Sequence, residues 1–131
     1  MRAVDTNVLV RALVQDDAPQ AARAEALFGE HDIYIPVTVV LELEWVLRTR
    51  YGYSPKRVAQ ALEMLAALAH AVVGERDAVL AATARVAQGW DFADALHHAL
   101  SHGCEDFVTL DADLARRGAR GVKAVPAITK L

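Results

Sequence analysis

The chain holds a single cysteine, Cys104, among its 131 residues. One thiol cannot close an internal disulfide, and the spaced Cys and His partners of a zinc site are missing. Cys104 is therefore expected to be a small buried side chain. Aromatic residues make up only 6% of the sequence. Trp45 and Trp90 stand outside the interleaved basic context of a base-stacking surface, so both read as core or interface anchors. Positive charge is not in excess: 14 Lys and Arg against 17 Asp and Glu leave a net charge of −3. Any nucleic-acid surface must then be a local patch. No apolar run reaches the roughly 18 residues of a membrane span, and the opening residues lack a basic segment followed by a secretory apolar core. A cytoplasmic location is the expectation. With 7 Gly and 4 Pro there is little material for a linker or low-complexity tract.

What is present is a 54% hydrophobic chain, long enough to bury a core as one domain over residues 1–131. Short β-branched runs alternate with Ala/Leu-rich amphipathic stretches, which predicts an α/β fold with a central parallel sheet flanked by helices. Strands are expected at Arg2 to Val4, in "DIYIP", in "HAVVG", in "DFVTL" as a buried strand, and at "VKAV" near the end. Helices are expected around Val8 to Leu13, from Ala18 to Gly29 behind the cap Asp17, over "VTVVLELEWVLRTR", from Ser54-Pro55 to about Leu68, and over "RDAVLAATARVAQ", "DFADALHHALSHG" and "ADLARRG".

Asp5 directly follows the first strand and Asp111 directly follows "DFVTL", so both sit at carboxyl ends of strands, where ligand sites of open α/β sheets lie. Either could equally cap the helix that follows it. Asp94 lies three residues after Asp91, close to capping-box spacing. Glu42 is different. At about 100° per residue, Val39, Val40, Leu43, Val46 and Leu47 share a face and place Glu42 at its margin, whereas Glu44 stands four residues before Arg48 and reads as a solvated ion pair. Two like charges about 4 Å apart repel by roughly 4 kcal/mol at an effective dielectric near 20, so converging carboxylates need protons or a divalent ion. Oxygen ligands without Cys or His suit Mg²⁺ or Mn²⁺, and phosphodiester hydrolysis by a metal-activated water is the natural chemistry.

The opening "VDTNVLVRAL", the "VVLELEWVL" segment, "DFADALHHALSHG" and "FVTLDADLARR", in that order, resemble the PIN-domain ribonucleases, and within them the VapC-type toxins of toxin-antitoxin pairs. The resemblance covers essentially the whole chain. It implies a three-layer α/β/α sandwich, an Mg²⁺ or Mn²⁺ site, endoribonuclease activity, a homodimer and a cognate antitoxin. Residue by residue, Asp5, Glu42 and Asp94 match the three main acids of the family, and Asp111 the more variable fourth, with Asp113 as its possible substitute. Thr6 matches a supporting hydroxyl and Asn7 its structural neighbour; Asn7 is equally a turn residue.

For phosphate contact the candidates are Arg11, Arg48, Arg50, Lys56 and Arg57, and Arg116, Arg117 and Arg120 beside the fourth acid. Arg11, Arg116 and Arg117 are favoured. His97 and His98 follow Asp94 at helical spacing without a third ligand; one is expected to pack at a helix interface and the other to face water. "AQALEMLAALAHAVV" reads as core or as a groove for an antitoxin segment. Two other functions compete. In a non-catalytic binding or dimerisation module the same acids would only cap helices. A haloacid-dehalogenase-type phosphatase would require a second Asp where Asn7 stands.

Overall fold

The computed structural model describes residues 1–118 and 125–131. Its elements run β1 (Arg2–Ala3), α1 (Thr6–Val14), α2 (Ala18–Glu30), β2 (Ile33–Ile35), α3 (Val37–Arg50), α4 (Pro55–Ala67), β3 (Ala71–Val73), α5 (Arg76–Val86), α6 (Phe92–Leu100), β4 (Asp106–Thr109), α7 (Ala112–Gly118) and β5 (Ala127–Lys130). The alternation of strand and helix is the α/β arrangement that the periodicity predicts. The expected strand "VKAV" falls, except for Val125, outside the described residues, as does Arg120.

Local chemistry accounts for the helix starts. Asp17 accepts from Gln20 N at 3.1 Å and Ser54 accepts from Arg57 N at 3.2 Å, each with a proline in the first turn. All strand pairs are parallel. Among the described residues they form a three-stranded sheet in the order β1-β2-β3 and a two-stranded sheet β4-β5. Central β2 pairs Ile33 with Arg2 and Ala71, and its Ile33 and Ile35 are fully buried. Around them Leu9, Val40, Leu43, Leu47, Leu62, Val79 and Leu96 complete the core. Helix α5 packs on α4 and α6, and α3 packs on α1, α4 and α6. Helix α4 gives most of its apolar residues to this core, which realises the simpler of its two readings.

Two expectations fail here. β4 is not a buried strand: its residues alternate between exposed and half-buried, with Val108 51% accessible. Among the described residues it pairs only with β5, and one of its faces is left uncovered. Cys104 is exposed, because it lies in the turn that follows Gly103 rather than in an element. Of the two places expected for Trp45, the core is excluded: the ring is exposed on α3.

Candidate active site

Parallel pairing brings the chain out of β1 directly into α1, so Asp5 becomes the N-cap of that helix. Its Oδ1 accepts from Val8 N at 3.3 Å, and Oδ2 has no partner among the described residues. The carboxylate is exposed; Thr6 behind it is buried and Asn7 is exposed. Asp111 repeats the pattern after β4. Its Oδ1 accepts from Asp113 N at 2.8 Å and Leu114 N at 3.2 Å, starting α7, while its own N–H donates to Thr109 Oγ1 at 3.1 Å. Capping and ligand binding need not compete, since each cap uses one oxygen. The backbone bonds orient the carboxylate and leave the second oxygen free.

Asp91 caps α6 by accepting from Asp94 N at 3.0 Å. Asp94, half-buried in the first turn, has no hydrogen bond or ion pair to its carboxylate among the described residues. Burial raises its pKa above the usual carboxylate value, and the charges of Asp91 and then Asp111 raise it further, against a smaller opposing effect of His97. Asp94 lies in the first turn of α6 and Asp111 caps α7, and the charge of Asp111 is felt at Asp94. Asp91 joins this group, although its spacing in the sequence marks it only as a cap. Asp113 instead pairs with Arg116.

The two glutamates of α3 exchange the places expected of them. Val40, Leu43, Glu44 and Leu47 are the buried residues, a stripe rotated by roughly 50° from the face the apolar residues alone suggest. Glu44 is buried at 4% accessibility and Arg48 covers it, with Nε donating to Oε2 at 3.0 Å and Nη2 to Oε1 at 3.4 Å. Glu42 lies on the exposed side of α3 without an ion-pair partner among the described residues.

Of the favoured arginines, Arg11 is engaged by Asp16 at 2.6 Å, and Tyr51 Oη donates to the same carboxylate at 3.3 Å. This pairing raises the Arg11 pKa and lowers that of Asp16. Arg117 Nη1 donates to Gln88 O at 3.3 Å.

His97 is exposed and His98 is buried, the division expected of the pair. Arg85 Nη1 lies 2.7 Å from His98 Nδ1, and His98 Nε2 lies 2.6 Å from Pro126 O. Arginine can only donate, so Nδ1 accepts and the ring carries its proton on Nε2. A second proton would face the guanidinium. Burial lowers the His98 pKa, the bond to Pro126 opposes this, and Arg85 lowers it again. The fold therefore favours the neutral ring. That contribution is complete above the ordinary histidine value of about 6.5 and is lost as pH falls below it toward the folded value. The melting temperature is expected to drop from pH 7 to pH 5, with a shallower drop in His98→Gln. Equal slopes in thermal melts of the two proteins would contradict this.

Among the described residues no group of three or more His, Cys, Asp or Glu side chains is placed to hold a metal ion. Mg²⁺ does not require such a cage: it keeps several waters and is commonly held by one or two carboxylates together with substrate phosphates. The donors present suit that mode, because they are hard oxygens and, among the described residues, Asp94 has no ion pair and Asp5 and Asp111 each keep one oxygen without a partner. The PIN domain family model matches residues 2–119. No curated protein matches the chain.

Proposed function

The chain belongs to the PIN domain family, whose members are generally nucleases that use divalent metals, and from that premise we propose that it is an Mg²⁺- or Mn²⁺-dependent endoribonuclease acting as the toxin of a toxin-antitoxin pair. The observation that carries the proposal is Asp94: half-buried, without a cationic partner among the described residues, and facing the charges of Asp91 and Asp111. A carboxylate so placed raises the free energy of the metal-free fold at neutral pH, and a divalent cation removes that penalty.

Asp94 and Asp111 would hold the ion, with Asp5 and Glu42 as the further acids and Asp113 in reserve for Asp111. When bound, Mg²⁺ or Mn²⁺ lowers the pKa of a coordinated water and offsets charge on the scissile phosphate. The backbone caps keep Asp5 and Asp111 in fixed orientation, so their free oxygens need little reorganisation on binding. One of these oxygens orients the attacking water and accepts its proton. Thr6, buried next to Asp5 in the chain, would be the supporting residue, with Asn7 after it. Arg116 and Arg117 stand next to the acids of α7 and supply positive charge to the RNA backbone; Arg11, held by Asp16, contributes less.

The exposed Trp45 of α3 and the exposed Met64 of α4 offer apolar contact area for a second chain, which supports a homodimer or an antitoxin complex. The test of the activity is cleavage of single-stranded RNA by the purified chain. Cleavage is expected with Mg²⁺ or Mn²⁺, is abolished by EDTA, and is restored by excess Mn²⁺. Cleavage that persists in EDTA, or no cleavage by folded protein in either metal, would overturn the reading. Expression of the chain without an antitoxin is further expected to slow bacterial growth.

A further inference from the structure

Trp90 and Asp113, neighbours in sequence of Asp91 and Asp111, also line a cavity of about 680 Å³ whose other walls include Arg85, Arg116 and Arg117. Arg85 is 6% accessible. A buried guanidinium normally faces a carboxylate, since an uncompensated charge is costly to take out of water. Arg85 has no ion pair among the described residues. Its hydrogen bond among them goes to His98, whose accepting Nδ1 makes that ring neutral, so His98 brings no negative charge. The face of Trp90 lies 4.5 Å from Arg85 Cζ, which compensates only part of the charge and occupies the ring against any stacking base.

The rest of the wall does not complete the balance. Asp113 is paired with Arg116, and Arg117 is held by Gln88 O in the turn after α5. Among the described residues, three guanidinium groups against one carboxylate leave the cavity positive, in a chain whose net charge is −3.

We infer that this cavity is a phosphate-binding subsite, taking a backbone phosphate of the RNA strand through Arg85, Arg116 and Arg117, one segment away from the acids that cut it. The inference rests on the nuclease reading for the identity of the strand. The buried Arg85 supplies a forked donor, preoriented by His98 and Trp90, and the exposed Arg117 supplies a second. A phosphate there provides the anion that the buried guanidinium lacks.

The test uses the full chain carrying Trp45→Phe, which leaves Trp90 as its only tryptophan, in EDTA so that no cleavage occurs. It is titrated with a single-stranded RNA hexanucleotide lacking terminal phosphates and, separately, with AMP and with inorganic phosphate. The expected result is a saturable change in Trp90 emission with the hexanucleotide, an affinity about tenfold lower in Arg117→Gln, and a salt dependence reduced by roughly one counterion. Arg85→Lys, which keeps the charge and loses the fork, is expected to weaken binding as well. Arg117 is exposed, so its variant keeps the test valid should Arg85→Lys fail to fold. Unchanged affinity in Arg117→Gln, or no response of Trp90 to the hexanucleotide, would overturn the inference. Equally tight binding of AMP or phosphate would assign the cavity to a free anion and overturn the strand assignment. The two readings fail separately: cleavage in Mn²⁺ with unchanged binding by Arg117→Gln removes the subsite alone, and Arg117-dependent binding without cleavage removes the nuclease alone.

Discussion

Asp94→Asn is expected to lower metal-dependent RNA cleavage by about 100- to 10,000-fold while leaving the metal-free protein at least as stable as the native chain. The two halves of this result come from the same electrostatics. Burial and the charges of Asp91 and Asp111 disfavour the ionised form of Asp94, so its pKa in the fold lies above its unfolded value. A carboxyl group of that kind stabilises the fold only below its unfolded pKa, and the contribution disappears as pH rises through the folded value. At neutral pH the native charge is therefore a cost, and an amide of nearly the same shape removes it. The amide is also a much poorer ligand for a hard divalent cation. Activity and metal-free stability should then move in opposite directions. Thermal melts in EDTA and cleavage assays in Mn²⁺ on the same preparation check this. A marked fall in melting temperature without metal would instead assign Asp94 a structural role.

Leu96→Ala, two residues further along α6, should do the reverse of Asp94→Asn on stability. Leu96 is 1% accessible within the cluster that includes Leu43, Leu47 and Val79. Truncation removes its transfer free energy and leaves a cavity, together worth roughly 2–5 kcal/mol, because a close-packed interior collapses only partly around a missing side chain. For a chain of this size the melting temperature should fall by roughly 10 °C or more. Leu96→Met, which keeps the volume, should cost less than about 1.5 kcal/mol. Denaturant unfolding of the two variants separates cavity formation from a general intolerance of substitution. Similar losses in both would contradict the packing account.

The features legible in the sequence are those set over short distances. A strand that ends in Asp, with a helical pattern behind it, determines where Asp5 and Asp111 sit and also that each can cap. Asp17 with Pro19, and Ser54 with Pro55, announce their helices by the same local rules. What local rules leave open is which neighbour a surface meets. Helix α3 has a broad apolar face, with Val39 and Val46 partly buried beside Val40, Leu43 and Leu47. Periodicity gives that face a width, but packing against α1, α4 and α6 chooses its centre, and the centre falls beside Glu44 rather than Glu42. The cluster of Arg85, His98 and Trp90 has no sequence signature at all. It exists because α5 packs on α6 and because the turn into β5 brings Pro126 O to His98 Nε2. The exposure of Cys104 likewise follows from the loop it occupies, although a lone cysteine is usually buried.

The central claim is that side-chain oxygens from separate segments share one divalent cation, and calorimetric titration of Mn²⁺ into the metal-free chain, alongside Asp94→Asn and Asp5→Asn, tests it most directly. Saturable binding to the native chain, strongly weakened in both variants while their melting temperatures in EDTA hold, is the predicted result. Identical Mn²⁺ affinity in all three proteins, or no binding to any of them, would contradict it.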